Sequence, residues 1–209
     1  MKKILISLLV IVLLPLLSVA QNFQVMPFAG YMLGGSVHYL EGKLNVNDGP
    51  VFGGSFIVAD IKYATDLEIS YFRMGSTADF NAYPGFGLHD QTVDMASNYL
   101  QIGAIKKMQA SEKFFPFFSF SLGTTWFTSP EYESVWRFSV AMGGGAEIFF
   151  TDRIGIMLRA RLLLPMNFAG VGGWCGIGTG GSGCGLSMNS YSVVTQGDFT
   201  GGLIIKIGK

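Results

Sequence analysis

Charge is scarce in this chain: 13% of its 209 residues are charged, with 14 basic and 14 acidic side chains and a formal net charge of zero. An average soluble domain carries about 25% charged residues. Without a basic excess there is no patch to neutralise phosphates, so we expect no nucleic-acid partner. The 18 Phe, 8 Tyr and 3 Trp give far more apolar surface than a disordered chain carries, which excludes intrinsic disorder.

Long hydrophobic runs are also missing, except at the N-terminus. There, two lysines precede an apolar run over residues 4–14, and a small-residue cleavage pattern ends at Ala20. This order is typical of a secretory signal peptide, which we assign to residues 1–20. An uncleaved anchor is the alternative, but the run is shorter than the ~20 residues of a spanning helix. Because residues 21–209 contain no second such run, a polytopic helical membrane protein is excluded.

The hydrophobic residues of the remaining chain alternate with a period of two. From residue 138 to residue 150 the even positions are largely apolar and the odd positions are small or polar, and the alternation resumes over residues 154–164. Arg159 and Arg161 would lie on different faces of a helix, but they share one face of a strand. The pattern therefore predicts a hairpin of two long amphipathic strands.

The same alternation predicts eight strands along the chain. They lie near residues 23–34, 51–60, 66–76, 94–107, 115–127, 137–150, 154–166 and 196–207. The second, fourth and sixth links between them are short, whereas the first, third and seventh are long, which is the plan of an outer-membrane barrel. Only a closed barrel satisfies every backbone group of a sheet in lipid. We therefore predict an all-β fold, an eight-stranded antiparallel up-and-down transmembrane β-barrel over residues 21–209, with an interior filled by packed polar residues.

Five charged residues fall on the strand faces opposite the apolar ones and would point into a closed barrel together. They are Glu68, Glu147, Arg159, Arg161 and Lys206. The turn near Asp152 places Glu147 opposite or diagonal to Arg159, within cross-strand reach. Because buried charges must be paired and hydrogen-bonded, we interpret the set as a structural ion-pair network. A narrow conduction or gating path is the functional alternative.

Aromatic residues cluster near the predicted strand ends, as in the two aromatic girdles of a barrel embedded in lipid. Those on the long-loop side are Tyr31, Tyr71, Trp126, Phe127 and Trp136, and those near the short turns are Phe114, Phe115, Phe149 and Phe150. The alternative is that they are ordinary core aromatics of a soluble sandwich.

Cysteine and histidine are nearly absent, which leaves few candidates for chemistry. Cys175 and Cys184 stand nine residues apart in a glycine-rich stretch of the longest link, which we interpret as a flexible surface loop. In an exported, oxidising setting we predict a disulfide between them, worth roughly 2–3 kcal/mol in the chain-entropy model. A metal pair is the alternative, but His38 and His89 lie in other loops without ligand spacing. We predict no metal site and no cofactor.

Several short motifs carry a resemblance that covers essentially all of residues 21–209. They are Pro27-Phe28-Ala29-Gly30-Tyr31, Asp48-Gly49-Pro50, Leu67-Glu68-Ile69-Ser70-Tyr71, Gly143-Gly144-Gly145, Arg153-Ile154-Gly155 and Gln196-Gly197-Asp198 before Gly202-Leu203-Ile204-Ile205. With them the chain resembles the small outer-membrane β-barrel proteins of Gram-negative bacteria, the OmpA-like and OmpX-like group. The resemblance implies the outer membrane as location, and its lipid bilayer and the outer-membrane assembly machinery as partners. We expect a monomer.

Three function classes remain. The favoured one is a non-enzymatic barrel that contributes to envelope structure or to surface interactions through its long extracellular loops. The second is a narrow small-solute channel. The third is a lipid-modifying enzyme, for which His38 and His89 are the candidate residues, although nothing in the sequence pairs either of them with a nucleophile.

Overall fold

The structure, a computed structural model, describes residues 23–38, 40–59, 64–85, 87–131, 133–178, 181–192 and 195–207. For residue 38 and for residues 167–178 and 181–192 it describes the backbone alone. The signal peptide predicted over residues 1–20 lies outside these ranges.

Eleven β-strands make up the described chain. They are β1 (Phe23–Leu33), β2 (Gly35–His38), β3 (Gly42–Val46), β4 (Gly49–Val58), β5 (Thr65–Ala82), β6 (Gln91–Lys107), β7 (Phe114–Thr128), β8 (Val135–Phe149), β9 (Ile154–Gly178), β10 (Gly181–Ser192) and β11 (Gln196–Ile207). Within the described part of the chain, no helix has the length and apolar character to cross a membrane.

Eight of these strands close into a barrel. Around the ring the order is β1, β4, β5, β6, β7, β8, β9 and β11, and β11 pairs back onto β1. Every neighbouring pair is antiparallel, so consecutive barrel strands run up and down. Closure leaves no barrel strand with an unpaired edge. The predicted all-β, eight-stranded antiparallel barrel is therefore confirmed.

Three further pairings extend the barrel at the rim where the long links lie, called here the long-loop rim. The β2–β3 hairpin joins the upper part of β5, and β10 folds back on β9. The eight predicted strands do not include β2, β3 or β10. The glycine-rich stretch, predicted to be a loop, has the backbone of a paired hairpin with Cys175 directly opposite Cys184.

The outer wall of the barrel is apolar. Exposed side chains include Ile69 on β5, Phe118 on β7, Leu158 on β9 and Phe199 on β11, all of them at positions that alternate with buried ones. Because side chains of a strand alternate between two faces, one face of each strand meets the surroundings and the other the interior. An outward apolar band of this kind is what lipid requires.

The interior departs from the predicted polar filling, because it is a mixed core. Buried polar and charged residues share it with large apolar ones such as Met26, Phe72, Tyr99, Phe117 and Leu163, each at most 2% exposed. The strand faces predicted to be polar include these apolar side chains because an eight-stranded bore must be filled by side chains of any kind.

The aromatic girdles are correspondingly reduced. Five of the nine aromatics face outward, whereas Phe115, Phe127 and Phe149 share the inward face of their strands, and Phe150 is exposed in the turn after β8. On the outside, Trp126 stacks against both neighbours, with ring centroids 6.0 Å from Tyr71 and 4.7 Å from Trp136. The outward set is Tyr31, Tyr71, Trp126, Trp136 and Phe114.

Candidate functional site

One ion pair crosses the bore from wall to wall. Glu68 on β5 and Arg159 on β9 belong to strands that lie on opposite sides of the ring. The Arg159 Nη1 atom donates to both carboxylate oxygens of Glu68, at 2.7 and 2.9 Å. The Ser55 hydroxyl donates to the same carboxylate at 2.5 Å. Both charged residues are buried, so the pair satisfies the requirement that buried charges be matched.

Arg161 makes a second pair along the wall. It lies directly opposite Asp198 in the β9–β11 register, and its Nη2 atom donates to Asp198 Oδ2 at 2.5 Å. The guanidinium carbon also lies 4.0 Å from the ring centroid of Phe72, across the bore on β5. Arginine stacked on an aromatic face gains cation–π attraction, which strengthens when the pair is desolvated.

A third charged cluster lies near the short turns. The Lys107 ammonium bridges Asp66 at 2.6 Å and Glu147 at 2.7 Å. Lys206 lies over the ring of Phe149, with its Nζ atom 3.8 Å from the centroid. Near the short turns, therefore, one lysine holds two carboxylates together and a second contacts an aromatic face.

The five residues predicted as one network are thus divided among three clusters. Glu68 and Arg159 do meet. Glu147 is opposite Met157 and therefore diagonal to Arg159 in register, but its ion pair is with Lys107. Sequence reasoning missed Asp66, Lys107 and Asp198. The parity of the strands would have found two of them, because Asp66 shares the inward face of β5 with Glu68 and Asp198 shares that of β11 with Lys206. Lys107 lies on β6, which contributes no residue to the predicted network.

Two glycines make room for the arginines. Gly143 and Gly145 on β8 lie directly opposite Arg161 and Arg159. A Cβ atom on Gly143 would meet the Ala160 carbonyl oxygen at 2.4 Å and the Arg161 Cγ at 2.8 Å. The triple-glycine motif therefore has a local cause, since the inward members leave space that the long side chains occupy.

Polar contacts continue across the bore toward the long-loop rim. The Tyr99 hydroxyl on β6 donates to Gln196 Oε1 on β11, again between opposite sides of the ring. Gln101 donates to the Ser139 hydroxyl at 2.5 Å. Phe72 and Leu163 are also fully buried in the bore. The hydrogen bonds connect strands of the wall, and the apolar side chains fill the space between them.

On the outside of the long-loop rim, Asp79 organises the extension. The Thr92 hydroxyl donates to one carboxylate oxygen at 2.6 Å, and the Asn47 amide donates to the other at 2.7 Å. These hydrogen bonds, first that of Thr92 and then that of Asn47, hold the pKa of Asp79 below its ordinary value. One carboxylate thus joins β5 to β6 and to the segment after β3.

The remaining candidates for chemistry do not converge. His89 is exposed in the link between β5 and β6, while the side chains of His38, Cys175 and Cys184 lie outside the described residues. In the part of the chain that the structure describes, no three His, Cys, Asp or Glu side chains are grouped so as to hold a metal ion.

Comparison with solved structures agrees with this architecture. Neisserial surface protein A is similar at 13% identity and a TM-score of 0.52, over 88% of this chain and 97% of that protein. The outer-membrane protein OprG of Pseudomonas aeruginosa is similar at 12% identity and a TM-score of 0.54, over 90% of this chain and 97% of that protein. No family model and no curated protein matches the chain. The expected resemblance to small outer-membrane barrels is thereby confirmed at the level of the fold.

Proposed function

We propose that this protein is an integral outer-membrane barrel without enzymatic activity, which contributes to envelope structure or to surface interactions through its long-loop rim. The observation that carries the proposal is a bore tied shut from wall to wall. Glu68–Arg159 and Tyr99–Gln196 each join opposite sides of the ring, with Phe72 fully buried between them. A filled bore leaves the apolar wall and the rim as the surfaces on which the protein acts.

The apolar outer wall of the barrel supports a location in the outer membrane. An outward apolar band with no open strand edge suits a bilayer, and both structural relatives named above are surface or outer-membrane proteins. The partners in this proposal are the outer-membrane lipid bilayer and the machinery that assembles barrels, with the protein acting as a monomer. The long-loop rim faces the outside of the cell, since short turns of such barrels lie on the periplasmic side.

The proposal is tested first on location and conduction. Detergent-extracted protein from the outer-membrane fraction should migrate differently on a gel when unheated and when boiled, as a folded barrel does. In planar bilayers the same protein should give no steady single-channel conductance. A steady conductance that Arg159→Ala alters would favour the narrow channel instead.

The second test addresses enzymatic activity. Lipid A and phospholipid turnover in cells that carry the protein should equal turnover in cells that lack it. A turnover that depends on the protein and disappears in His38→Ala or His89→Ala would replace the proposal with a lipid-modifying enzyme.

The third test separates envelope structure from surface interaction. Cells lacking the gene are complemented with the full chain or with a chain in which residues 35–46 are replaced by a short turn. Restored resistance to detergents by both chains indicates a structural role of the barrel. Surface binding that only the full chain restores indicates that the rim carries the activity, and failure of the full chain in both assays contradicts the proposal.

A further inference from the structure

The polarity of the barrel inverts at the long-loop rim. On the lower part of β5, Glu68 faces inward and Ile69 outward, but further along the same strand Phe80 faces inward and Asp79 outward. The neighbouring strands behave alike, because Leu44 on β3 and Val93 on β6 share the inward side with Phe80. Beyond the lipid-facing band, therefore, the protein turns its apolar face toward its own axis.

This inward apolar face borders a cavity of about 400 Å³ that is open at the rim and is called here the mouth cavity. Five strands contribute to it, and its lining is Leu44, Ala78, Phe80, Gln91, Val93, Met95, Phe127, Thr128, Ser129, Glu133 and Val135. Below it, the half-buried Ser76 on β5 is followed by Met74, and β6 and β7 continue with Ser97 and Thr125; these last three residues are fully buried. The cavity is therefore a cup with a closed floor and is not the entrance of a pore.

The size of the cup limits its occupant. A volume of about 400 Å³ lies within the range of roughly 300–1,000 Å³ found for small-molecule sites. At ~30 Å³ per water molecule it equals about 13 waters, which is room for a small molecule or for a side chain or two of a macromolecule. A mostly apolar lining with a few polar groups is the usual character of such sites.

The charge of the cup selects among small molecules. Glu133, on the link between β7 and β8, is the one charged residue in the described lining, and it is exposed at the edge of the cavity. Val135 near it remains 41% exposed, so apolar surface is available beside the carboxylate. A carboxylate at the edge of an apolar cup matches a cationic head on an apolar body.

We propose that the mouth cavity is a binding site for a small cationic amphiphile, with its apolar body against Phe80, Val93 and Met95 and its ammonium group beside Glu133. The site does not depend on the function proposed above, because a ligand can bind a closed cup whether or not the rim also contacts other surfaces.

The test uses three probes with the same hexyl chain and different charge: hexylammonium, 1-hexanol and heptanoate. Each is titrated onto the full-length mature barrel in phosphatidylcholine nanodiscs, and empty nanodiscs report partition into lipid. Methyl NMR of Met95 in the cup reports binding, and Met157, which is 1% exposed in the bore, serves as a control methyl.

We expect the Met95 methyl signal to shift while that of Met157 does not. Hexylammonium should bind about two- to fivefold more tightly than hexanol, as one exposed charge pair allows, and heptanoate should bind more weakly than hexanol. In Glu133→Gln the preference for hexylammonium over hexanol should disappear.

Two variants remove apolar lining. Phe80→Ser and Val135→Ser, on different strands, should each weaken hexanol binding about three- to tenfold, because the apolar surface that the ligand covers is lost. Tyr83→Ser, which removes an exposed ring outside the lining, should leave all affinities unchanged. The gel shift between unheated and boiled samples verifies that each variant folds.

Four results would overturn the proposal. They are the absence of a Met95 shift beyond that explained by empty nanodiscs, equal wild-type affinities for the three probes, equal losses in Tyr83→Ser and Phe80→Ser, and contacts of the Met95 methyl with residues 167–192 in the absence of any probe. The last result would mean that the chain's own hairpin fills the cup.

Discussion

At the scale of single residues, space inside the bore is shared between arginine and glycine. Gly143 and Gly145 stand opposite Arg161 and Arg159, and neither can carry a side chain without displacing its neighbour. Arg159 can therefore reach Glu68 across the bore, and Arg161 can lie over Phe72, because the neighbouring strand β8 has no side chains at the facing positions. Such pairing of large and small residues is how closely packed interiors are filled.

We predict that Gly143→Ala destabilises the barrel by about 2 kcal/mol, because the added methyl group meets a backbone oxygen that cannot easily move. Gly54→Ala is the matched control, since its new Cβ would find its nearest neighbour at 3.8 Å. Urea unfolding in bilayers, followed by the gel shift, measures both. Equal stability of the two variants would contradict the packing explanation.

The ion pair across the bore gives a second prediction. Arg159→Met or Glu68→Gln alone should each cost about 3–5 kcal/mol, because each leaves a buried partner without its match. The double variant should cost clearly less than the sum of the two, and the same unfolding assay gives the coupling energy. Additive losses would show that the two side chains do not interact energetically.

At the scale of elements, the barrel strands could be predicted and the extension could not. Strands such as β7 and β11 keep one apolar face throughout, so their alternation is visible in the sequence. In β5 the apolar face changes sides after Tyr71, because Phe72 and Met74 face inward and Arg73 faces outward. A search for outward apolar residues therefore ends the strand early, near residue 76. The strands β2 and β3 have four and five residues, too few for a periodic pattern.

The sequence predicts which charged residues face inward, but not which of them form ion pairs with each other. Parity assigns Glu147 and Arg159 to the interior, but the partner of each depends on how the ring closes. Glu68 reaches Arg159 across the bore, although 91 residues separate them in the chain. Cross-strand rules apply to neighbouring strands, so they could not foresee a contact between opposite walls.

The Asp79 cluster predicts a pH dependence of the extension. The pKa of Asp79 is lowered in the folded state, so its contribution to stability is fully present above the ordinary aspartate pKa of about 3.9 and is lost as the pH falls through the lower folded pKa. Carboxyl NMR should show a titration midpoint below that ordinary value, and the protection of the Asn45 amide, its exchange rate relative to the intrinsic rate at the same pH, should fall at acid pH. Asp79→Asn should abolish this pH-dependent loss of protection, whereas Asp94→Asn on the same outer face should keep it. A midpoint at or above the ordinary value would contradict the hydrogen-bonded arrangement.

The β9–β10 hairpin predicts the redox state of the cysteines. The register places Cys175 directly opposite Cys184, and directly opposed residues have Cα atoms about 4.5–5.5 Å apart, within the range that a disulfide spans. Mass spectrometry of protein from the envelope should show no alkylation before reduction and two alkyl groups after it. Alkylation of unreduced protein would mean that the thiols are not joined.

At the scale of the whole molecule, the inversion of polarity marks where lipid ends. Outward side chains are apolar from Phe118 to Leu122 on β7, stacked aromatics follow at Trp126 and Trp136, and polar residues such as Asp79 lie beyond them on β5. Within the lipid-facing band, the outward side chains are apolar and the inward ones are partly charged. Above the band, the outward side chains are polar and the inward ones are apolar.

This arrangement predicts the depth of the tryptophans in a bilayer. Trp126 lies six residues beyond Phe120 on β7, which at ~3.4 Å per residue and a tilt of about 40° is about 15 Å of height. Because half of the apolar band is about 12 Å tall, Trp126 and its partner Trp136 should lie at the interface if Phe120 lies near the centre. In a Trp174→Phe background, lipids brominated near the headgroup should quench Trp126 and Trp136 most strongly. A second chain has all three tryptophans changed to Phe and carries Phe120→Trp. Its tryptophan should be quenched best by lipids brominated near the ends of their acyl chains. Equal depths for position 120 and for Trp126 and Trp136 would be incompatible with a barrel that spans the membrane in this orientation.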